Sequence, residues 1–285
     1  MEKVSAFLRR KDIVFSPKRY FIDAMSAMAQ GLFCTLLVGT ILNTLGTQLH
    51  IGFLTDIIVT LGKGDGAVRY TIGGLCSAMV GPGMAVAIGQ ALNAPPMVLF
   101  SLIPVGFATN AMGGAGGPLA VLFVAIIAAE IGKAVSKETK IDILVTPIVT
   151  ILSGIGAAAL IAAPIGTAAS AVGKAIMWAT ELQPFFMGII VSVVIGIALT
   201  LPISSAAICA ALGLTGLAGG AAVAGCCAQM VGFAVMSFRE NRWGGLAAQG
   251  LGTSMLQMGN IVRNPRIWIP PTLASAITGP IATCI

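Results

Sequence analysis

Hydrogen-bonding side chains gather in one stretch of this apolar chain, GTSMLQMGNIVRNP, between Gly252 and Pro265. Five of its fourteen residues carry a hydroxyl or a carboxamide, although only 9% of the residues in the chain are charged. Carboxamides both donate and accept hydrogen bonds, so they suit the binding of a small polar solute. The candidate solute-binding residues of this stretch are Thr253, Ser254, Gln257 and Asn260.

Two smaller polar groups also lie beside breaks in apolar sequence. Ser204 and Ser205 follow Pro202, and Thr109 and Asn110 precede the glycine-rich run GGAGG. We count these four residues as further candidates for solute binding. The same residue types also form hydrogen bonds between packed helices, so both roles stay open for each of them.

The composition requires a membrane environment. Hydrophobic residues make up 57% of the 285 positions, whereas the 9% charge compares with about 25% in soluble domains. Apolar runs of about 20 residues recur, which is the length that crosses a bilayer as a helix. The runs are continuous and do not alternate as in a β-barrel strand. We therefore predict an all-α, multi-pass membrane protein.

The basic residues predict the orientation in the bilayer. Six of the sixteen lie within the first nineteen positions, directly before an apolar run. The positive-inside rule explains this placement better than nucleic-acid binding does. Residues 1–20 are therefore predicted to form a cytoplasmic N-terminal segment, and part of it can lie on the membrane as an amphipathic helix. We expect a plasma membrane location, of the bacterial type.

The apolar runs divide into predicted spans and predicted interruptions. Gly81–Gly83 should break the span Val68–Leu92, and Gly166–Leu182 is expected to lie along an interface. Two late segments, Pro202–Gly220 and Gly244–Asn264, are predicted to be re-entrant hairpins. Irregular backbone is tolerated at membrane depth only where it lines a cavity or is buried in protein. The other predicted spans are Phe21–Leu45, Met97–Asn110, Pro118–Lys133, Ile141–Ala163, Pro184–Leu201 and Ala221–Phe238.

Enzyme, metal and cofactor chemistry find little support in the residue pattern. The six cysteines show no CxxC spacing, and the chain has one histidine. No predicted span contains a Ser/Lys dyad or two facing carboxylates. We expect no enzyme activity, no metal and no cofactor. Glu130 and Lys133, three positions apart near a helix end, are interpreted as a local ion pair.

Three motifs resemble a known family of membrane proteins. NPRIWIPPTLASAITGP (Asn264–Pro280), KIDILVTPIVTILSG (Lys140–Gly154) and ATNAMGGAGGPLAVLFVAII (Ala108–Ile127) are similar to the permease components (EIIC) of the phosphotransferase system. The closing motif resembles that of the fructose and mannitol types, and the chain as a whole is similar to the EIIC family that includes the perfringolysin-regulator-like membrane proteins. Met255 stands where sugar-transporting members carry a glutamate.

The resemblance implies a fold, a function and partners. It implies an elevator-type transporter fold for residues 21–285, with a scaffold domain, a transport domain and two re-entrant hairpins. A homodimer that moves a sugar or sugar-like solute is expected, served by separate IIA and IIB proteins. Because Met255 cannot accept hydrogen bonds as a carboxylate does, the alternative is a membrane regulator or sensor that keeps this fold without transport.

Overall fold

The computed structural model describes residues 2–63, 67–180, 183–201 and 216–284, and almost all of them are helical. Two π-helical stretches, Lys18–Asp23 and Phe33–Leu37, lie within the long helix α2. The α-helices are α1 Glu2–Arg10, α2 Lys18–Gln48, α3 Gly52–Thr55, α4 Ile72–Ala78, α5 Val80–Ala91, α6 Pro96–Gly113, α7 Gly117–Val135, α8 Asp142–Thr180, α9 Pro184–Thr200, α10 Gly216–Met236, α11 Phe238–Ala247, α12 Met258–Arg263 and α13 Ile269–Cys284.

Within the described ranges, five helices are long and apolar enough to cross a membrane: α2, α6, α7, α8 and α10. The pair α4 and α5 is bent by 52°, and it forms either a sixth, broken span or a re-entrant loop. The bend lies at Met79, next to the predicted break at Gly81–Gly83. Pro82 accounts for it, because a proline cannot donate to the carbonyl four residues earlier, here that of Ala78. The chain is a multi-pass membrane protein, as its composition predicts.

Helix α8 corrects one prediction. The span predicted to end at Ala163 continues, because the backbone is one helix of 39 residues from Asp142 to Thr180. The interface location predicted for Gly166–Leu182 stays a prediction. The run is rich in alanine, which favours helix more than any other residue. At 1.5 Å per residue the helix is about 58 Å long, which exceeds the hydrocarbon core of about 30 Å. Part of α8 therefore extends beyond the core or crosses it at a steep tilt.

The helices pack as two groups. In the first group α2 contacts α5, and α6, α7 and α8 each contact the other two. In the second group α9, α10 and α13 each contact the other two, and α9 also touches α8. Gly225 of α10 lies so close to α9 that an added Cβ would overlap the backbone oxygen of Ser192. Small residues of this kind set the close packing of membrane helices.

A short β-hairpin follows α2 and departs from the all-α prediction. Strands β1 (Val59–Leu61) and β2 (Val68–Tyr70) are antiparallel, with Thr60 opposite Arg69. Both strands are short and mostly exposed. The hairpin lies at the far end of α2 from the basic N-terminal segment, so it marks the opposite end of the molecule.

The backbone is interrupted within Gly244–Asn264, as predicted, whereas a re-entrant course of this segment stays a prediction. Helix α11 runs into a π-helical turn, and the backbone then becomes extended at Thr253 (φ −155°, ψ 139°). A 3₁₀ turn, Ser254–Gln257, leads into the short helix α12, and Asn264 is extended again. The other predicted hairpin, Pro202–Gly220, lies outside the described residues over 202–215, and its last residues begin α10.

Candidate functional site

Four polar side chains form one hydrogen-bonded row across the interrupted segment. Gln249 Nε2 donates to Ser237 Oγ at 3.0 Å, and Gln257 Nε2 donates to Gln249 Oε1 at 2.9 Å. Asn260 Nδ2 then donates to Gln257 Oε1 at 2.8 Å. Gln249 and Gln257 are buried, whereas Asn260 is exposed. Because buried carboxamides cost free energy unless they are paired, this row fixes the orientation of both glutamines.

The row opens into a cavity of about 320 Å³. Ligand pockets in proteins occupy about 300–1,000 Å³, so the cavity suits one small molecule. Its polar lining combines a hydroxyl, a carboxylate and three carboxamides, and apolar side chains complete the wall. The polar lining residues are Ser237, Glu240, Asn241, Gln257 and Asn260.

The cavity can bind a solute that carries several hydroxyl groups. A carboxylate only accepts hydrogen bonds, and its charge makes them roughly twice as strong as neutral ones. Carboxamides both donate and accept, so together they match hydroxyls, which also do both. Ile267 and Phe233 supply apolar surface on the same cavity.

Two of the four residues predicted within Gly252–Pro265 line this cavity. The other two hold the backbone of the interrupted segment in place. Gln257 and Asn260 face the cavity. Thr253 caps the 3₁₀ turn, since its hydroxyl accepts from the backbone N–H of Met255 at 3.2 Å. Ser254 is fully buried and shares a hydrogen bond of 2.8 Å with Thr200 at the end of α9. A direct role of Thr253 or Ser254 in binding a solute stays a prediction.

The other predicted groups lie elsewhere. Thr109 is buried and donates to the carbonyl oxygen of Val105 within its own helix. Asn110 packs against Gly81 and Gly117. In the part of the chain that the structure describes, these contacts belong to α5, α6 and α7 and do not reach the row. Ser204 and Ser205 lie outside the described residues.

Sequence reasoning missed four residues of the site: Ser237, Glu240, Asn241 and Gln249. From sequence alone, Arg239–Arg242 (RENR) is the polar end of the predicted span Ala221–Phe238. The spacing of Ser237, Glu240 and Asn241 indicates a shared site, because residues three and four positions apart lie on one face of a helix. The backbone N–H groups of Glu240 and Asn241 both donate to the carbonyl of Ser237, so this helical turn holds the three side chains together.

The site also revises the argument from Met255. This methionine is 2% exposed and belongs to the hydrophobic core, so it does not line the cavity. The carboxylate in the cavity comes from Glu240, fifteen positions earlier in the chain. The cavity therefore contains a carboxylate, although position 255 is a methionine.

Fold and site together define a multi-pass helical membrane protein with a polar cavity beside a broken helix. The chain belongs to the phosphotransferase system EIIC family, whose description matches residues 22–285. This confirms the family resemblance, whereas the fructose or mannitol type stays a prediction. Membership supports a role as a membrane sugar permease. Comparisons with curated proteins and with solved structures gave no match.

Proposed function

We propose that the protein is a permease that binds one sugar or sugar-like molecule in the cavity between Ser237 and Asn260. The hydrogen-bonded row is the observation that carries the proposal. Two buried glutamines hold the side chain of Asn260 at the cavity, where it keeps an amide hydrogen and its oxygen free for a ligand. Glu240 adds a charged acceptor on the same wall. A dry structural contact between helices would not need a lined cavity of about 320 Å³.

The elevator mechanism is the second part of the proposal. The cavity belongs to the group α9–α13, while the interrupted segment packs against α2 of the other group. The segment and α2 approach closely at Gly259, where an added Cβ would overlap the hydroxyl of Ser26. We infer that the group α9–α13 carries the solute, with Gly244–Asn264 and Pro202–Gly220 as its two re-entrant hairpins. The group α2–α8 serves as the scaffold of a homodimer.

Coupling to phosphorylation completes the proposed function. Family members work with IIA and IIB phosphoryl carriers, so we propose that separate IIA and IIB proteins serve this permease at its cytoplasmic side. We place the basic N-terminal segment on that side, in agreement with the positive-inside rule.

Equilibrium binding tests the cavity. The purified chain in lipid nanodiscs is titrated with a labelled panel of hexoses, pentoses and hexitols, and the tightest binder is then tested for uptake into proteoliposomes. Glu240→Gln should weaken binding by about tenfold or more, because a hydrogen bond to a charged group contributes about 1.5–3 kcal/mol. The matched control is Asp56→Asn, an exposed carboxylate beside the β-hairpin, which should leave binding unchanged.

The outcomes separate the hypotheses. Binding without uptake would favour the regulator over the permease. Binding that Glu240→Gln and Asn260→Ala leave unchanged would show that the cavity is not the solute site, and the proposal would then be wrong.

A further inference from the structure

A buried lysine at the basic end of the molecule ties three segments together. Lys133 is 2% exposed. Its ammonium donates to the backbone oxygens of Asp12 and Leu92, at 2.7 and 2.8 Å. It also lies 3.2 Å from the Glu130 carboxylate, which confirms the predicted ion pair. The arm between α1 and α2 is thereby fastened to the ends of α5 and α7.

Beside this lysine lies a second polar cavity, of about 360 Å³. Four cationic and two anionic side chains line it: Arg10, Lys11, Lys133, Lys137, Asp12 and Glu138. This cavity is formed by the arm, the turn after α5 and the loop after α7, so it is separate from the proposed sugar site.

The two carboxylates of the cavity are already paired. Glu138 accepts from Arg10 at 2.6 Å and lies 2.5 Å from the Lys11 ammonium. Asp12 accepts from Arg19 at 2.6 Å and from Asn93 at 3.0 Å. The Arg19 hydrogen bond lowers the pKa of Asp12 to about 2, and the Lys11 hydrogen bond lowers the pKa of Glu138. Both carboxylates are therefore ionised at neutral pH and serve the protein's own cations.

Donors remain in excess after this pairing. A guanidinium has five N–H donors, and Arg10 uses one of them on Glu138. Within the described residues, the Lys137 ammonium makes no hydrogen bond or ion pair. Lys133 is paired with Glu130, whereas Arg10 and Lys11 share the single carboxylate of Glu138 and Lys137 adds a further charge. The cavity therefore keeps a net positive charge and free donors to bind an anion with several acceptor oxygens. A phosphate group has this character.

The surface next to the cavity indicates where the phosphate comes from. Val14 and Phe15, two and three residues beyond Asp12, are 46% and 74% exposed. Helix α1 carries further apolar side chains, including Phe7 and Leu8, beside its basic residues. Exposed apolar residues mixed with basic ones are typical of segments that lie in the headgroup region of a membrane.

We propose that the cavity beside Lys133 binds the phosphate group of an anionic phospholipid. Arg10 and Lys137 contact the phosphate, while Lys133 holds the arm that forms one wall. Val14 and Phe15 lie among the acyl chains of the same leaflet. The bound lipid fastens the N-terminal arm to the transmembrane helices.

Native mass spectrometry of the full chain tests this proposal. Protein in uncharged detergent is titrated with phosphatidylglycerol or with phosphatidylcholine, which has the same phosphate but no net charge. Arg10→Gln/Lys137→Gln should weaken phosphatidylglycerol retention by about thirtyfold, from the usual contribution of a basic residue at an anionic membrane surface. The matched control is Lys63→Gln/Arg69→Gln, which removes the same charge at the hairpin end. This control variant should retain phosphatidylglycerol as the wild type does.

A second experiment adds inorganic phosphate at millimolar concentration to the same titration. If phosphate displaces the lipid from the wild type but not from Arg10→Gln/Lys137→Gln, the result would support the site. Phosphate binding that depends on Arg10 and Lys137 without any preference for phosphatidylglycerol would keep the anion site and refute the lipid as its source. Equal losses in both double variants, or no loss in either, would overturn the proposal. Unchanged elution and melting of each variant verify folding.

Discussion

The hydrogen bond between Gln249 and Gln257 gives the sharpest test of the site's architecture. Both side chains are buried, at 3% and 6% exposure, and Gln257 donates to Gln249 at 2.9 Å. Gln257→Leu leaves the Gln249 oxygen without its donor, and Gln249→Leu leaves the Gln257 amide without its acceptor. Each single variant should lose about 1–3 kcal/mol of unfolding free energy, the cost of one unpaired buried polar group.

The double variant should cost less than the sum of the single ones. With both glutamines replaced, neither half of the broken bond remains, and the outer partners, Ser237 and Asn260, border the cavity where water can reach them. Hydrogen bonds between membrane helices show coupling energies that average about 0.6 and reach about 1.7 kcal/mol. Because this pair is nearly inaccessible, we expect a coupling of about 1–2 kcal/mol.

Unfolding in mixed micelles, titrated with a denaturing detergent, measures the four free energies of this cycle. Gln229→Leu combined with Gln257→Leu is the matched control, because Gln229 donates to Thr272 and shares no hydrogen-bond partner with Gln257. That pair should be additive within about 0.5 kcal/mol. A Gln249/Gln257 coupling of the same size as this control would refute the hydrogen-bonded row.

Three further predictions concern ion pairs and helix packing outside the cavity. Lys133→Met should cost about 3–5 kcal/mol of unfolding free energy in the same titration, because it breaks a buried ion pair, whereas Lys137→Met should change it little. Lowering the pH below 3.8, the usual pKa of an aspartate, towards about 2 should reduce the melting temperature as Asp12 is protonated. Asp12→Asn should reduce this dependence, and the part that remains belongs to other paired carboxylates such as Glu138, whose pKa is also lowered. Gly225→Ala should destabilise the fold by forcing α10 from α9, whereas Gly220→Ala, which meets only ordinary contacts, should not.

The sequence predicted those features that depend on local composition. Long apolar runs identify membrane spans, and the bend between α4 and α5 follows from a single proline. The interruption within Gly244–Asn264 was predictable because polar residues in an apolar chain need partners or water. In each case the physical cause lies within one turn or one span of the residues concerned.

Features that depend on distant contacts were out of reach. Glu240 looks like the polar end of a span until the fold brings Asn260 to the same cavity. Lys133 looks like a surface residue in an ion pair, yet an arm 121 positions earlier in the chain covers it. Helix α8 was cut short because a less apolar run suggested an interface, whereas its alanine content favours continuous helix.

A cryo-electron microscopy map of the purified protein with the tightest-binding sugar tests the central claim most directly. The account predicts density for the sugar within hydrogen-bond distance of Glu240 and Asn260, with Gln257 held by Gln249 behind them. Sugar density away from this cavity, or a cavity filled by side chains in the sugar-bound protein, would contradict it.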